Sequence, residues 1–367
     1  MLQVLGGLIL LVGGGELLVR GASVLAVKAG ISPLVVGLTV VSVATSAPEL
    51  AVTTGAVFSG ESELAIGNVI GSNIANVLLV LGISAIVLPL GIRRQLVRID
   101  VPFLIILGFA LLALSLDGTI SPLDGGLLLL AWVLHTGMSV WLSKRADLST
   151  PDGSSGVGDG QSDDVPPKLG LPLALLCVAA GVGLLVGGAN LLVSGAVSIA
   201  TGLGVSSLVI GLTVVAVGTS LPELVASIIA VRQKEGDLAV GNAIGSCLAN
   251  IGLVLGVPSM ISSGGLPVPS AVLSIDLPLM VATSAVLLPV IYTGARIARR
   301  EGVLFLTLYV AYTAYLILNA GGHDSTSGFS LVMLLLVLPL VAITLLILSA
   351  RERRRRKRAK QDGHTLR

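Results

Sequence analysis

Long runs of Leu, Val, Ile, Ala and Gly, nearly free of charge and separated by short polar stretches, fill most of the chain. Runs of about 20 such residues cross a bilayer as helices, and the weak ten-residue alternation of an outer-membrane barrel is absent. Hydropathy predicts spans near residues 2–19, 31–57, 65–90, 101–116, 121–142, 170–193, 205–231, 240–261, 271–293, 303–319 and 328–350. The expected fold class is therefore an all-α polytopic membrane protein.

One polar-marked stretch occurs twice. Gly37-Leu-Thr-Val-Val-Ser-Val-Ala-Thr-Ser-Ala-Pro-Glu49 returns as Gly211-Leu-Thr-Val-Val-Ala-Val-Gly-Thr-Ser-Leu-Pro-Glu223, an offset of 174 residues. The same offset carries Gly67-Asn68 onto Gly241-Asn242, Gly71-Ser72 onto Gly245-Ser246, and Asn76 onto Asn250. From Leu34 to Gly82 roughly thirty of forty-nine positions are identical, so the chain holds two homologous halves.

Charge then fixes an expected orientation. With the N-terminus outside, all 22 Lys and Arg residues fall on one side, which the positive-inside rule makes the cytoplasm. Arg20 and Lys28 precede the first Glu-bearing span, whereas Ser194 to Gly204 before the second holds no charge; Glu61 and Glu63 follow the first, Arg232 and Lys234 the second. This reversal predicts an inverted repeat of two five-helix halves, residues 1–142 and 170–319, the architecture of secondary transporters. A cytoplasmic linker at 143–169, one additional C-terminal transmembrane helix at 328–350 and a basic cytoplasmic tail at 351–367 complete the expected layout. Asp163-Asp164 in the Ser/Gly/Asp/Pro-rich linker read as solvated acids.

Composition supports a membrane protein and excludes an ordinary soluble domain: 54% of residues are hydrophobic and 11% charged, with a mean hydropathy of +1.00. Cys177 and Cys247 each lie inside a span and read as small apolar fillers. His135, His323 and His364 form no ligand spacing, which argues against a histidine-bound metal or a histidine base. The first apolar run lacks a basic leader and a small-residue cleavage site, and so reads as a retained helix. Nothing in the chain points to a cofactor, a nucleic acid or an obligatory protein partner.

The candidate chemistry lies in the repeated stretch. A carboxylate at membrane depth costs several kcal/mol unless paired, so Glu49 and Glu223 are functional candidates by default. Thr45 and Glu49 are four apart on one helix face with Ser46 beside them, and Pro48 strips a donor from the preceding turn, leaving carbonyls there to face a cavity. In the next span Ser72 and Asn76 share a stripe; Thr219, Ser220, Pro222, Glu223, Ser246 and Asn250 repeat the set. Carboxylate, hydroxyl, amide and carbonyl oxygens without sulfur or imidazole suit a hard cation, Ca²⁺ or Na⁺. Competition of those ions for the same oxygens is a natural exchange mechanism.

The doubled (A/G)-T-S-x-P-E followed by G-N-x-I-G-S-x-x-x-N resembles the alpha repeats of the sodium/calcium exchanger family, over about residues 1–319. The resemblance, prokaryotic in type, implies ten core helices in two inverted fives, with the first and sixth moving against a fixed core. It implies exchange of several Na⁺, three in the expected count, for one Ca²⁺ as transported substrates in a cell or inner membrane. It makes Glu49 and Glu223 the holders of the central ions, with Thr45, Ser46, Ser72, Thr219, Ser220 and Ser246 in support and carbonyls near Ser42 and Ala216 completing sodium sites. Many relatives have Asp where this chain has Asn250, and Asn at both Asn76 and Asn250 favours potassium independence. The central linker is too short for the calcium-sensing domains of animal relatives.

Other readings are weaker. A proton/calcium or other cation exchanger would share the ligands, and so would a cation channel, but a channel does not require an inverted repeat with a paired-carboxylate centre. An intramembrane hydrolase fails because Ser46 and Ser220 have no His or Lys base in their motif. Asn68 and Asn242 read as helix caps, and Glu16, one turn from Arg20, as a snorkelling boundary residue.

Overall fold

The computed structural model describes residues 2–148, 170–204, 216–270, 272–292 and 296–320. The linker from residue 149, the first part of the second Glu-bearing span at 205–215, the additional helix at 328–350 and the basic tail lie outside the described residues.

We number the helices as follows. In the first half α1 is Leu2–Ala29, α2 Pro33–Thr45, α3 Ala47–Phe58, α4 Ser62–Val87, α5 Leu96–Leu114 and α6 Pro122–Leu148. In the second, α7 is Leu171–Gly202, α8 Ala216–Thr219, α9 Leu221–Arg232, α10 Gly236–Ile261, α11 Val272–Asp276 continued by Leu277–Tyr292, and α12 Arg299–Ala320. Among the described residues four two-residue strands lie between them: β1 Leu90–Gly91, β2 Thr119–Ile120, β3 Leu266–Pro267 and β4 Arg296–Ile297. Among the described residues six helices are long and apolar enough to span a membrane, and the bent pair α2/α3 makes a seventh.

The helices outrun the predicted spans. α1 passes Arg20 and Lys28 and stops at Ala29, because nothing breaks it before Gly30, whose φ of +60° only glycine adopts cheaply. There Ile31 N–H reaches the Ala26 carbonyl and Gly30 N–H that of Val27, the paired bonds that close a helix C-terminus. α6 likewise runs through residues 143–148, assigned above to the linker. Among the described residues, five segments that hydropathy could not reveal wind as π-helix: Gly37–Val41, Asn76–Val80, Leu96–Asp100, Asn250–Leu255 and Val272–Asp276. Wide turns of this kind cluster at functional sites.

The repeat is kept element by element. Shifting α3 and the start of α4 by 174 residues gives α9 and the start of α10 residue for residue, and the π-segment that opens at Asn76 returns at Asn250, one residue longer. The strands show how the halves are set. β1 pairs antiparallel with β4, and β2 with β3. β1 and β2 flank α5 at its two ends, as β3 and β4 flank α11, so this pairing makes the start of α5 neighbour the end of α11. α5 and α11, equivalent by the repeat, therefore run in opposite directions.

The equivalent helices α1 and α7 are also antiparallel, in close contact along their lengths. A Cβ on Gly14 would lie 2.8 Å from the Gly181 carbonyl oxygen, and one on Gly181 would lie 2.7 Å from that of Gly14. Such backbone contact is how membrane helices gain packing when burial alone favours no partner. A second close approach positions the site: α2 lies on α10, where a Cβ on Gly241 would meet the Leu34 carbonyl oxygen at 2.3 Å and one on Gly245 the Leu38 Cα at 2.6 Å. Leu34, Val36, Leu38, Val41, Ile66, Ile70, Ile244 and Leu248 fill the buried core around this crossing.

Candidate functional site

Both Glu-bearing spans break at the residue before the one preceding proline. α2 ends at Thr45, Ser46 leaves helical geometry at φ −80°, ψ 7°, and α3 resumes at Ala47 with Pro48 in its first turn, the two helices meeting at a 45° bend. Ser220 repeats this at φ −87°, ψ 6° between α8 and α9, with Pro222 next. Pro lacks the N–H that would continue the ladder, so each break sets Glu49 or Glu223 in the first turn of a new helix.

The predicted oxygens converge here. Glu49, Glu223, Ser42, Ser246 and Asn250 are each fully buried, and Thr45, Ser46, Ser72, Asn76 and Ser220 nearly so. The two carboxylates are near enough to interact, and the Glu223 carboxylate faces Thr45, Ser46 and Ser246. Ser46 Oγ donates to Glu223 Oε1 at 3.3 Å, so a hydroxyl of the first half serves a carboxylate of the second. Both oxygens of Glu49, Oε2 of Glu223, the hydroxyls of Ser220 and Ser246 and the whole amides of Asn76 and Asn250 are buried without a hydrogen-bond partner. Buried polar groups are normally satisfied, and a convergent set left open is what a cation-coordinating shell requires. The two amides stand at the first residue of their π-segments. Among the described residues no group of three or more His, Cys, Asp or Glu is assembled, so charge at the centre rests on two carboxylates.

Two carbonyl positions stand differently. The Ser42 carbonyl already accepts from Ser46 N–H at 2.9 Å and from Thr45 Oγ1 at 3.3 Å, while the Ser42 hydroxyl is turned back on Leu38 O at 2.9 Å. Ala216 opens α8, and Thr219 closes it beside Ser220.

Asn68 and Asn242 are not caps; each lies inside its helix and reaches across to the neighbouring Glu-bearing helix. Asn68 Nδ2 donates to the Glu49 carbonyl at 3.3 Å and to Thr53 Oγ1 at 3.0 Å, and Asn242 Nδ2 to the Glu223 carbonyl at 3.3 Å and Ser227 Oγ at 3.0 Å. The signal was legible: both asparagines follow their glutamate by nineteen residues, with Thr53 and Ser227 also one repeat apart. Near the centre Cys247 Sγ contacts the Asn73 carbonyl at 3.7 Å, a pair itself related by the repeat.

Two further polar groups lie apart from this centre. Glu16 sits near the middle of α1, not at its boundary; it lines a cleft of about 310 Å³ with Val12, Val225, Ile229 and Arg232 that holds none of the ligand residues. His135 is buried against Asp100, with Nε2 to Oδ1 at 3.1 Å, and stacked on Phe103, while Ser139 donates to the same carboxylate oxygen at 3.3 Å.

The family profile described as sodium/calcium exchanger protein matches residues 1–141 and 173–318, which include both broken helices and every ligand position above. The chain belongs to the sodium/calcium exchanger family. CaxA of Alkalimonas amylolytica is 38% identical over 313 residues, covering 84% of this chain and 96% of its own. Sodium/calcium exchanger MaX1 of Methanosarcina acetivorans is 34% identical over 324 residues, 78% of this chain and 89% of its own. A solved structure of the sodium-calcium exchanger NCX_Mj, soaked with zero Na⁺ and Ca²⁺, superposes with a TM-score of 0.71 at 33% identity, covering 86% of this chain and 97% of that one. Like its family, this chain is a multi-pass membrane protein of the exchanger type.

Proposed function

We propose that this protein is a secondary active antiporter that exchanges three Na⁺ for one Ca²⁺ by alternating access, electrogenically and without potassium. The observation that carries this reading is the buried set of carboxylate, hydroxyl and amide oxygens shared between two inverted halves, with most of its acceptors open. With Glu49 and Glu223 ionised and Asn76 and Asn250 neutral, the centre holds about −2; one Ca²⁺ balances it, and three Na⁺ leave it at about +1. One transport cycle then moves one net charge, worth about 2.3 kcal/mol per 100 mV. Glu49, Glu223, Thr45, Ser46, Ser72, Asn76, Thr219, Ser220, Ser246 and Asn250 serve as ligands, with carbonyls near Ser42 and Ala216 completing the sodium sites. The antiparallel pair α1 and α7 is the element that moves against the rest, exposing the centre to one side and then the other.

The orientation proposed puts the N-terminus outside and the C-terminal tail in the cytoplasm of an inner membrane. The two small sheets support it: Arg93, Arg94, Arg98, Arg296, Arg299 and Arg300 flank β1·β4, whereas Asp117 and Asp124 flank β2·β3 with no Lys or Arg beside them.

The deciding measurement is Ca²⁺ uptake into sodium-loaded proteoliposomes at clamped potentials, in potassium-free buffer and again with potassium. Uptake should depend on sodium and on voltage, and Glu49→Gln and Glu223→Gln should each abolish it while the protein still inserts. A voltage-indifferent rate rejects the three-for-one count, and an absolute need for potassium rejects the role given to Asn250. Full sodium-driven uptake by either glutamine variant rejects the site.

A further inference from the structure

Asn242 is 1% exposed and belongs to none of the ligand positions, yet it holds two of them at once. Its Oδ1 accepts from the Thr45 hydroxyl at 3.1 Å, across the interface between the halves, and its Nδ2 donates to the main chain of Glu223. We propose that Asn242 is a positioning residue for the transported cation: it takes the Thr45 proton and so turns that oxygen's lone pairs toward the ion. The proposal rests on the reading of Thr45 as a ligand of the exchanged cations.

A hydroxyl carries one donor and two lone pairs, and it can serve a cation only if its hydrogen is accepted elsewhere. Three acceptors surround Thr45. The Ser42 carbonyl, at 3.3 Å, already takes the Ser46 N–H. The Glu223 carboxylate also faces Thr45, but a proton given there would occupy a lone pair the cation needs. Asn242 Oδ1 is the closer of the two hydrogen-bonded acceptors and costs the ion nothing.

The amide is prevented from turning over. The Glu223 carbonyl can only accept, so the atom facing it must be Nδ2, and Ser227 Oγ at 3.0 Å receives the other hydrogen of the same nitrogen. A flip would set oxygen against oxygen at a buried position and leave Thr45 with no acceptor on that side. Asn68 is built alike in the first half, through Glu49 O and Thr53 Oγ1, and by the 174-residue correspondence it stands to Thr219 as Asn242 stands to Thr45.

A double-mutant cycle between Asn242 and Thr45 tests this, read both as the Ca²⁺ concentration for half-maximal exchange in proteoliposomes and as the thermal stabilisation of the detergent-solubilised protein by CaCl₂. Asn242→Ala should raise the half-maximal concentration about five- to tenfold, the size of one lost hydrogen bond. Thr45→Val should weaken it at least as much, and Asn242→Ala should cost clearly less in the Thr45→Val background than in the parent, the remainder being its bond to the Glu223 main chain. Ser227→Ala removes no proposed ligand; it should give a smaller loss that likewise shrinks in the Thr45→Val background, and it decides the matter if Asn242→Ala does not fold. Additive losses in either cycle would overturn the proposal, since Asn242 would then act without Thr45. A parent protein that is stabilised by Ca²⁺ but exchanges nothing would reject the transport reading, while the stabilisation cycle would still decide the role of Asn242.

Discussion

Gly245→Ala tests the crossing of α2 and α10 on which the site depends. The added methyl would lie 2.6 Å from Leu38 Cα, 2.7 Å from Leu38 O and 2.7 Å from Ser42 Oγ, against ordinary contact at 3.4 Å or more. Two of those three atoms are main chain and cannot rotate away, so the helices must part by about 0.8 Å, the shortfall at Leu38 Cα. Overpacking of this kind costs about 1–3 kcal/mol. The same movement would stretch the 3.1 Å bond between Thr45 and Asn242 to about 3.9 Å, beyond hydrogen bonding, at a further net loss of about 1 kcal/mol. At about 1.4 kcal/mol per tenfold, that second term alone weakens cation binding roughly fivefold. The assay is sodium-driven Ca²⁺ uptake over a range of Ca²⁺ concentrations, with thermal unfolding of the same preparation. Gly13→Ala is the control, because a Cβ there meets nothing within 4 Å. Parent-like affinity and stability in Gly245→Ala would refute the close crossing, and equal damage from Gly13→Ala would refute the attribution to it.

Two other outcomes are expected. Ser59 and Gln233 follow α3 and α9 at equivalent, exposed positions, so in a Cys177→Ser background a cysteine at 59 should react with an impermeant thiol reagent from outside and one at 233 only after permeabilisation. Reaction of both from one side would contradict the inversion. Glu235, before α10, has its carboxyl raised above the ordinary range chiefly by burial, with Asp237 adding to the rise and the Ser23 hydroxyl and Arg93 opposing it. A carboxylate raised in the folded state holds a proton that the unfolded chain has released, so this group lowers stability as pH rises from its unfolded value through its folded one. Glu235→Gln should therefore unfold at a higher temperature than the parent at pH 7, with the gap closing near pH 4; a constant gap would show that packing, not charge, sets the difference.

The helical class, the doubled stretch and the buried oxygen-bearing residues of the candidate site were legible because each leaves a mark along the chain: apolar run length, identity at a fixed offset, and oxygen-bearing side chains spaced four apart. The breaks at Ser46 and Ser220 were foreshadowed by Pro48 and Pro222. What stayed hidden is of a different kind. π-winding at Asn76 and Asn250 is set by the tertiary fit of two helices, and no local composition distinguishes it from α-helix. Hydropathy placed the end of α1 at residue 19 because it scores charge, whereas Arg20 and Lys28 are tolerated in a helix whose real terminator is Gly30. Asn68 and Asn242 were misread because cap preference is a statement about one helix, and their partners lie on the next.

Inversion also explains why the centre can be built from two similar halves and yet need not be two similar sites. Opposed copies bring equivalent elements face to face at their pseudo-axis: α1 lies against α7, and Cys247 meets the carbonyl of Asn73, its own counterpart. The pair related by the repeat at this contact is Asn and Cys rather than Asn twice, so the two halves already differ there. The same asymmetry reaches the carboxylates. Glu223 receives the Ser46 hydroxyl on one oxygen, whereas both oxygens of Glu49 are left open. A hydrogen bond from a neutral donor lowers what a carboxylate can still offer a cation, so on the proposed reading Glu49 would be the stronger anchor of the two in this conformation. A single divalent ion held between the carboxylates would sit nearer Glu49. The fold supplies the symmetry, and the hydrogen bonds at the axis decide where within it the charge is most available.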